Sequence, residues 1–313
     1  LLDTNPMVTV AGMGGAGKTR LAVEVAYQEL PGRDDGCYFA DLSAISDGSE
    51  VPAAVAEALR FEPKTGLGIS ASQQLVEFLA GRDVLLVLDN CEHVIDECAM
   101  LVERVLGRSR ATAILATSRQ RLGVAGERVI ATPSLDADAD TSPAVELFIE
   151  RALAVNPVMS TGRADRSTIA AICRSLDGMP LAIELAAARA AVLTPGEILN
   201  RMADRFRLLS GGQGRRRLRT LQATLDWSYD LLDAREQTFF RSLGLFVGSF
   251  DLAAAQALTD TSEYETLDLM DSLVAKNLVV TDESSLGTAR YRLLETVRIY
   301  AGDQLARMDE AGR

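Results

Sequence analysis

At 313 residues, with 48% hydrophobic side chains and a formal net charge of −12, the chain is long enough for about two domains and too apolar to be disordered. The acidic balance argues against nucleic acid held by bulk electrostatics, and no run approaches the roughly 18 apolar residues of a membrane span or reads as a signal peptide. Four cysteines without a CxxC pair and a single histidine exclude a zinc cluster and predict a reduced, cytoplasmic protein.

Short apolar runs at Met7–Ala11, Tyr38–Leu42, Val84–Leu88, Thr112–Ala116 and Arg128–Ala131 predict five strands. Helical spacing falls between them: Leu21 with Val25, Ala22 with Ala26, and later Leu101, Val102, Val105 and Leu106. This alternation predicts a parallel sheet with helices on both faces and a ligand site beyond the carboxyl ends of the strands.

Directly after the first strand, Gly12-Met13-Gly14-Gly15-Ala16-Gly17-Lys18-Thr19 spells GxxxxGK[ST]. The glycines permit a tight loop whose N–H groups cradle phosphates at a helix N-terminus. Lys18 is placed to reach the β- and γ-phosphates and the Thr19 hydroxyl to ligate Mg²⁺. Lys18 is also one of only three lysines, beside 29 arginines. Gly14, Gly15, Ala16, Gly17, Lys18, Thr19 and the adjacent Arg20 are the nucleotide-binding candidates for ADP or ATP.

The partner motif is an apolar strand ending in aspartate, Val84-Leu85-Leu86-Val87-Leu88-Asp89, with Asp89 placed to hold the metal through water. Asn90 follows, where many ATPases carry a carboxylate that activates water. An amide orients water but accepts no proton, so slow hydrolysis is expected. Glu92 is either a substitute for that carboxylate or an exposed loop residue. The fourth strand runs into Thr117-Ser118-Arg119, and Arg119 is either a γ-phosphate sensor or a surface arginine. Lys18, Asp89, Asn90 and Arg119 are the catalytic candidates. His93 is assigned no role.

From Pro143 the pattern is helical: Val145, Phe148, Ile149 and Ala152 share one face, and Ile169, Ile172, Cys173 and Leu176 another. Gly178 closes one helix and Pro180 opens the next, Leu181 to Val192. Thr194-Pro195-Gly196-Glu197 is a capping box that starts a fourth helix through about Met202. Leu208 to Gly214 is the expected hinge. Within it, residues 209–213 spell LSGGQ, the signature of ABC-transporter ATPases. There the signature precedes the metal-aspartate strand, whereas here it follows Asp89 by over a hundred residues, so a linker reading is preferred.

Beyond the hinge, helices are expected at about 220–232, 235–246, 251–258 and 263–275, with Asp233 capping the second. A strand Leu278–Thr281, a polar turn Asp282–Thr288, a strand Arg290–Leu294 and a helix Glu295–Arg307 complete a winged-helix pattern. Arg215, Arg216, Arg217 and Arg219 precede it, but Glu236, Asp251, Asp260, Glu263, Glu265, Asp268 and Asp271 make the module acidic. No basic recognition helix appears, and direct DNA contact by this segment is not expected.

GMGGAGKTRLA, VLLVLDN, ILATSR, GMPLAIELAAAR, TLQATLDWSYDLL and YRLLETVRIYA occur in an order that resembles bacterial STAND-class regulators. They are similar to the NB-ARC ATPase core of large actinobacterial transcription regulators of the antibiotic-regulatory or LuxR-like type, and more distantly to apoptotic-protease activating factor and plant resistance proteins. The resemblance implies three domains closing over ADP: a P-loop domain at 1–133, a small helical domain at 134–209 and a winged-helix domain at 215–313. It implies that Pro180 and Leu181 contact adenine and that Arg119 senses the γ-phosphate. It further implies a cytoplasmic ADP/ATP switch that self-associates when activated and serves sensor and effector domains of the same protein.

Two features depart from the family. Its winged-helix histidine aligns with Leu294, beside Glu295, which leaves Arg290 or Arg292 as substitutes. The usual adenine-holding segment before the first strand is short, so the chain is expected to be the core of a larger protein. The competing readings are a DNA-binding regulator with an incidental ATP site and an ATP-driven enzyme or motor.

Overall fold

The computed structural model describes residues 2, 4–64, 68–202, 225–226, 228–259, 261–282 and 289–311, the side chains of 282 and 309–311 excepted. These residues fall into two compact units. The expected hinge, the LSGGQ string, the arginine run at 215–219, residues 220–224 and 227 of the helix expected at 220–232, and the body of the polar turn lie outside the described residues.

The first unit comprises residues 1–12 and 17–132. Its sheet contains β1 (Met7–Ala11), β2 (Cys37–Asp41), β3 (Leu85–Asp89), β4 (Ala113–Ser118) and β5 (Arg128–Ala131). All neighbours are parallel, in the order β2-β3-β4-β1-β5. The helices are α1 (Lys18–Glu29), α2 (Val51–Ala58), α3 (Ala71–Leu79) and α4 (Ile95–Arg108).

Alternation along the strands divides the core between the two faces of the sheet. Met7, Leu86, Leu88 and Ile114 pack with Val55, Leu79 and Val102 of α2, α3 and α4. Val8, Val10, Leu85, Val87 and Leu115 pack with Ala22 of α1. The central strands β1, β3 and β4 are wholly buried, as continuous apolar runs require. The edges differ: β5 is exposed along its whole length, and Phe39 of β2 is 40% exposed. Leu21 is likewise exposed, leaving Ala22 as the main core contact of α1. β4 runs two residues past its expected end because Ala11 pairs with Ser118 and Gly12 N–H donates to the Ser118 carbonyl.

The second unit comprises residues 13–16 and 133–313. It begins with α5 (Pro143–Val155), α6 (Arg163–Ser175), α7 (Pro180–Ala187) and α8 (Pro195–Asn200). α7 stops short of Val192, tightening into a 3-10 turn over Ala188–Ala191. At α8 the capping box is present: Thr194 N–H donates to Glu197 at 2.9 Å and Glu197 N–H returns to the Thr194 hydroxyl at 3.4 Å.

The described elements continue with α9 (Ala234–Leu243), α10 (Leu252–Ala257), α11 (Glu263–Ala275), the antiparallel pair β6 (Val280–Asp282) and β7 (Arg290–Arg292), and α12 (Glu295–Ala311). α9 ends at Gly244, where a Cβ would come within 2.7 Å of Gly302 N on α12. β6 starts later than its apolar run because Leu278 and Val279 N–H both go to the Leu273 carbonyl at the end of α11. Phe250 and Tyr291 exchange two 2.8 Å backbone bonds and add a bridge to the hairpin.

Two tests follow from this unit. Gly178 has φ +63°, and a Cβ there would lie 2.0 Å from the Leu135 carbonyl oxygen. Gly178→Ala is expected to cost more than about 2 kcal/mol in denaturant unfolding, whereas Gly81→Ala, at φ +79° in open space, costs about 1 kcal/mol. Burial alone would push the Glu236 carboxyl up, but Lys276 at 2.7 Å, Ser272 and the Asp233 amide together hold it below its ordinary 4.5. The stabilisation is present above that value and is lost as pH falls through the depressed folded value. Glu236→Gln is therefore expected to be less stable than wild type by about 1–2 kcal/mol near neutrality, with the gap closing in acid unfolding curves below pH 4.5.

Candidate functional site

The order of strands in the first unit puts β4 between β1 and β3. The chain after Ala11, the Asp89 carboxylate and the Thr117–Arg119 segment therefore share one edge of the sheet. Gly17, at φ +92°, forms the N-cap of α1 and offers no side chain, so the helix's opening amides are left for another acceptor. Lys18 opens α1, is 7% exposed and donates from Nζ to the Gly12 carbonyl at 2.8 Å. Burial pushes its ammonium down from the ordinary value; Glu92 opposes this, Arg119 adds to it and Asp89 opposes it.

Residues 13–16 pack within the second unit. Met13 joins its core, and Leu181 N–H donates to the Gly15 carbonyl at 3.3 Å. Gly15 has φ +83°, and a Cβ there would lie 2.9 Å from the Leu181 Cβ, so both the conformation and the close approach require glycine. Gly14 and Ala16 are half-buried, and Ala16 N–H donates to the Met13 carbonyl at 3.2 Å. Pro180 occupies the first turn of α7 beside Leu181. Arg20 is exposed.

Asp89 is 2% exposed and heavily solvated by neighbouring donors. The Thr19 hydroxyl lies 2.9 and 3.0 Å from its two oxygens, the Thr117 hydroxyl donates to Oδ1, and Asn90 Nδ2 donates to Oδ2 at 2.9 Å. Burial raises the carboxyl above its ordinary value, while the Thr117 and Thr19 hydrogen bonds lower it. Asn90 sits in the left-handed region at φ +63°. Its N–H donates to the Thr117 hydroxyl at 3.0 Å, and its amide also reaches Asp41 at 3.3 Å.

Arg119 and Glu92 form a buried ion pair, Nε to Oε1 at 3.0 Å, with side chains 7% and 4% exposed. The alternative of an exposed loop carboxylate at position 92 is thereby corrected, as is that of a surface arginine at 119. Burial lowers the Arg119 guanidinium, and Glu92 opposes this. Glu92 Oε2 is buried without a hydrogen-bond partner. His93 Nε2 lies 2.8 Å from the Ile45 carbonyl, a structural contact.

No group of three His, Cys, Asp or Glu among the described residues could hold a metal unaided. The oxygens of Thr19 and Asp89 are hard donors that would suit Mg²⁺, an ion that retains several waters of its own. Within the first unit, the open terminus of α1 and the buried Lys18 fit a phosphate group. Sequence reasoning missed Thr117, which joins Asp89 to Asn90, and Asp41, which receives the Asn90 amide; both roles depend on strand order. In the second unit, the Arg290 guanidinium is occupied by Ser249, through the hydroxyl at 3.1 Å and the carbonyl at 2.9 Å. Glu295 pairs with Arg298, and Leu294 packs on the core.

The sequence matches the NB-ARC domain over residues 1–134 and the winged helix-turn-helix domain over residues 232–306. A Mycobacterium tuberculosis protein named provisionally as an HTH-type transcriptional regulator is 45% identical over 99% of this chain. The chain spans 35% of that relative's length. A second Mycobacterium tuberculosis protein, whose name assigns it no function, is 40% identical, over 99% of this chain and 79% of its own. Among solved structures, the Aeropyrum pernix ORC2 protein in its ADPNP–ADP complexes has a TM-score of 0.53 at 12% identity, covering 97% of this chain and 88% of that one. That likeness is one of fold. Among the described residues, no helix is long and apolar enough to cross a membrane.

Proposed function

The chain belongs to the NB-ARC regulators of the STAND class, and on that premise we propose that it is a nucleotide-dependent switch, the regulatory ATPase core of a larger transcriptional regulator. It is closed with ADP and opens with ATP into a self-associating form, in the cytoplasm, under the control of sensor and effector domains of the same protein. The observation that carries this reading is the burial of Lys18, Asp89, Arg119 and Glu92 at one sheet edge of the first unit, with Lys18 opening α1. Buried charges collected without an apolar alternative are characteristic of sites tuned for a charged ligand.

In this reading Gly14, Gly15, Ala16, Gly17 and the first amides of α1 hold the phosphates, Arg20 flanks them, and Lys18 compensates their charge. Thr19 and Asp89 hold Mg²⁺, which supplies further charge neutralisation when bound. Arg119 reports the γ-phosphate, and Pro180 with Leu181 contacts adenine. Asn90 donates its amide to carboxylates and has no group that accepts a proton, which supports slow turnover suited to timing rather than to work. The three-domain division at 1–133, 134–209 and 215–313 belongs to the same proposal. A switch of this kind requires the two nucleotides to differ in affinity between closed and open states.

Calorimetry with Mg–ADP and a non-hydrolysable Mg–ATP analogue tests the reading. Lys18→Ala is expected to abolish binding of both, and wild-type affinity in that variant would overturn the site. For Arg119→Ala the expected result is an affinity for the triphosphate lowered about tenfold, with ADP binding near normal. Equal loss of both would make Arg119 structural.

A further inference from the structure

We infer that Glu92 sets the nucleotide preference of this site: its carboxylate holds Arg119 and so competes with the third phosphate of a nucleoside triphosphate for that guanidinium. The inference rests on the nucleotide reading above and goes beyond it by naming the group that biases the resting protein toward the diphosphate.

Three observations support it. The first is position. Arg119 leaves the carboxyl end of β4, and Glu92 lies in the turn directly after Asp89 at the end of the neighbouring β3, so the pair lies at the same sheet edge as Asp89 and acts on Lys18. The 3.0 Å contact draws the guanidinium toward the turn.

The second is charge. Among the described residues Lys18 and Arg119 face Asp89 and Glu92, the Asp41 carboxylate also acts on Asp89, and Glu92 and Asp89 both act to stabilise the Lys18 ammonium. A triphosphate brings one more negative charge than a diphosphate to a place that already holds these carboxylates. Accommodating it by recruiting Arg119 takes from Glu92 its ion-pair partner in a buried position, a costly change for an ion. A diphosphate makes no such demand.

The third is the state of Glu92 itself. One carboxylate oxygen takes Arg119, and the other is buried without a hydrogen-bond partner. A carboxylate satisfied on both oxygens would hold the guanidinium in a fixed network. One satisfied on a single oxygen forms a pair that a stronger, multiply charged acceptor can exchange. Glu92 is thus a positioning residue acting through Arg119.

The test measures dissociation constants of Mg–ADP and Mg–adenylyl imidodiphosphate for the full chain by calorimetry, with thermal unfolding of each unliganded variant confirming that it folds. Glu92→Gln is expected to shift the preference toward the triphosphate by about tenfold. Glu92→Asp, which withdraws the carboxylate by one methylene, is expected to shift it the same way by about threefold and serves if the glutamine variant fails to fold. In the Arg119→Ala background, Glu92→Gln is expected to shift nothing, because no guanidinium is left to release. An unchanged preference in both Glu92 variants overturns the inference while leaving the nucleotide site standing. The same shift with and without Arg119 also overturns it, since Glu92 would then act by its own charge. Failure of the wild type to bind either nucleotide overturns the nucleotide reading, and the inference with it.

Discussion

Four ionisable side chains removed from water at the edge of one sheet set the terms for the first unit. Each of Lys18, Asp89, Glu92 and Arg119 would carry a heavy desolvation cost alone, and each is tolerated because an opposite charge or a set of hydroxyl and amide donors lies within reach. That arrangement needs the β2-β3-β4-β1-β5 order. With β4 anywhere else, Thr117 would not touch Asp89 and Arg119 would not meet Glu92. Two apolar layers, one beneath α1 and one beneath α2, α3 and α4, hold the three central strands rigid enough to keep these distances.

What could be read from the residues was mostly local. GxxxxGK[ST], the apolar run ending in Asp89, the Thr194/Glu197 box and the Asp233 cap each depend on neighbours within a few positions; both caps formed as expected, and Glu236 completes a box with Asp233 that sequence reasoning missed. Long-range features were hidden. Nothing adjacent to Glu92 signals that it is buried, because its partner lies 27 positions away, just past a strand whose place in the sheet the sequence does not print. The exposure of β5 was equally illegible, since Val129 and Ile130 look like core until the strand is known to be an edge. Terminal shifts had local causes, such as the Leu273 carbonyl claiming two amides that the apolar run offered to a strand.

The scarcity of lysine takes on a structural meaning. Lys18 is buried against a backbone carbonyl, and Lys276 is clamped on Glu236 between α9 and α11. In a chain whose surface cations are overwhelmingly arginine, these two lysines serve as compact point charges in confined places, where a planar guanidinium would need more room. The winged helix-turn-helix region meanwhile carries Glu263, Glu265, Asp268 and Asp271 along one helix, so its architecture alone does not make it a reader of DNA.

The turn from Asp177 to Leu181 carries more than its length suggests. Within five residues, Asp177 accepts the Thr296 N–H at 3.2 Å, the Gly178 carbonyl accepts the Leu135 N–H and the Leu181 N–H reaches the Gly15 carbonyl. Asp177 and Gly178 both occupy left-handed conformations, so neither peptide plane can swing without disturbing the next. The turn works as a knot in the second unit: three strings of sequence, from residues 15, 135 and 296, are tied at one point, and tension on any one of them is felt by the other two.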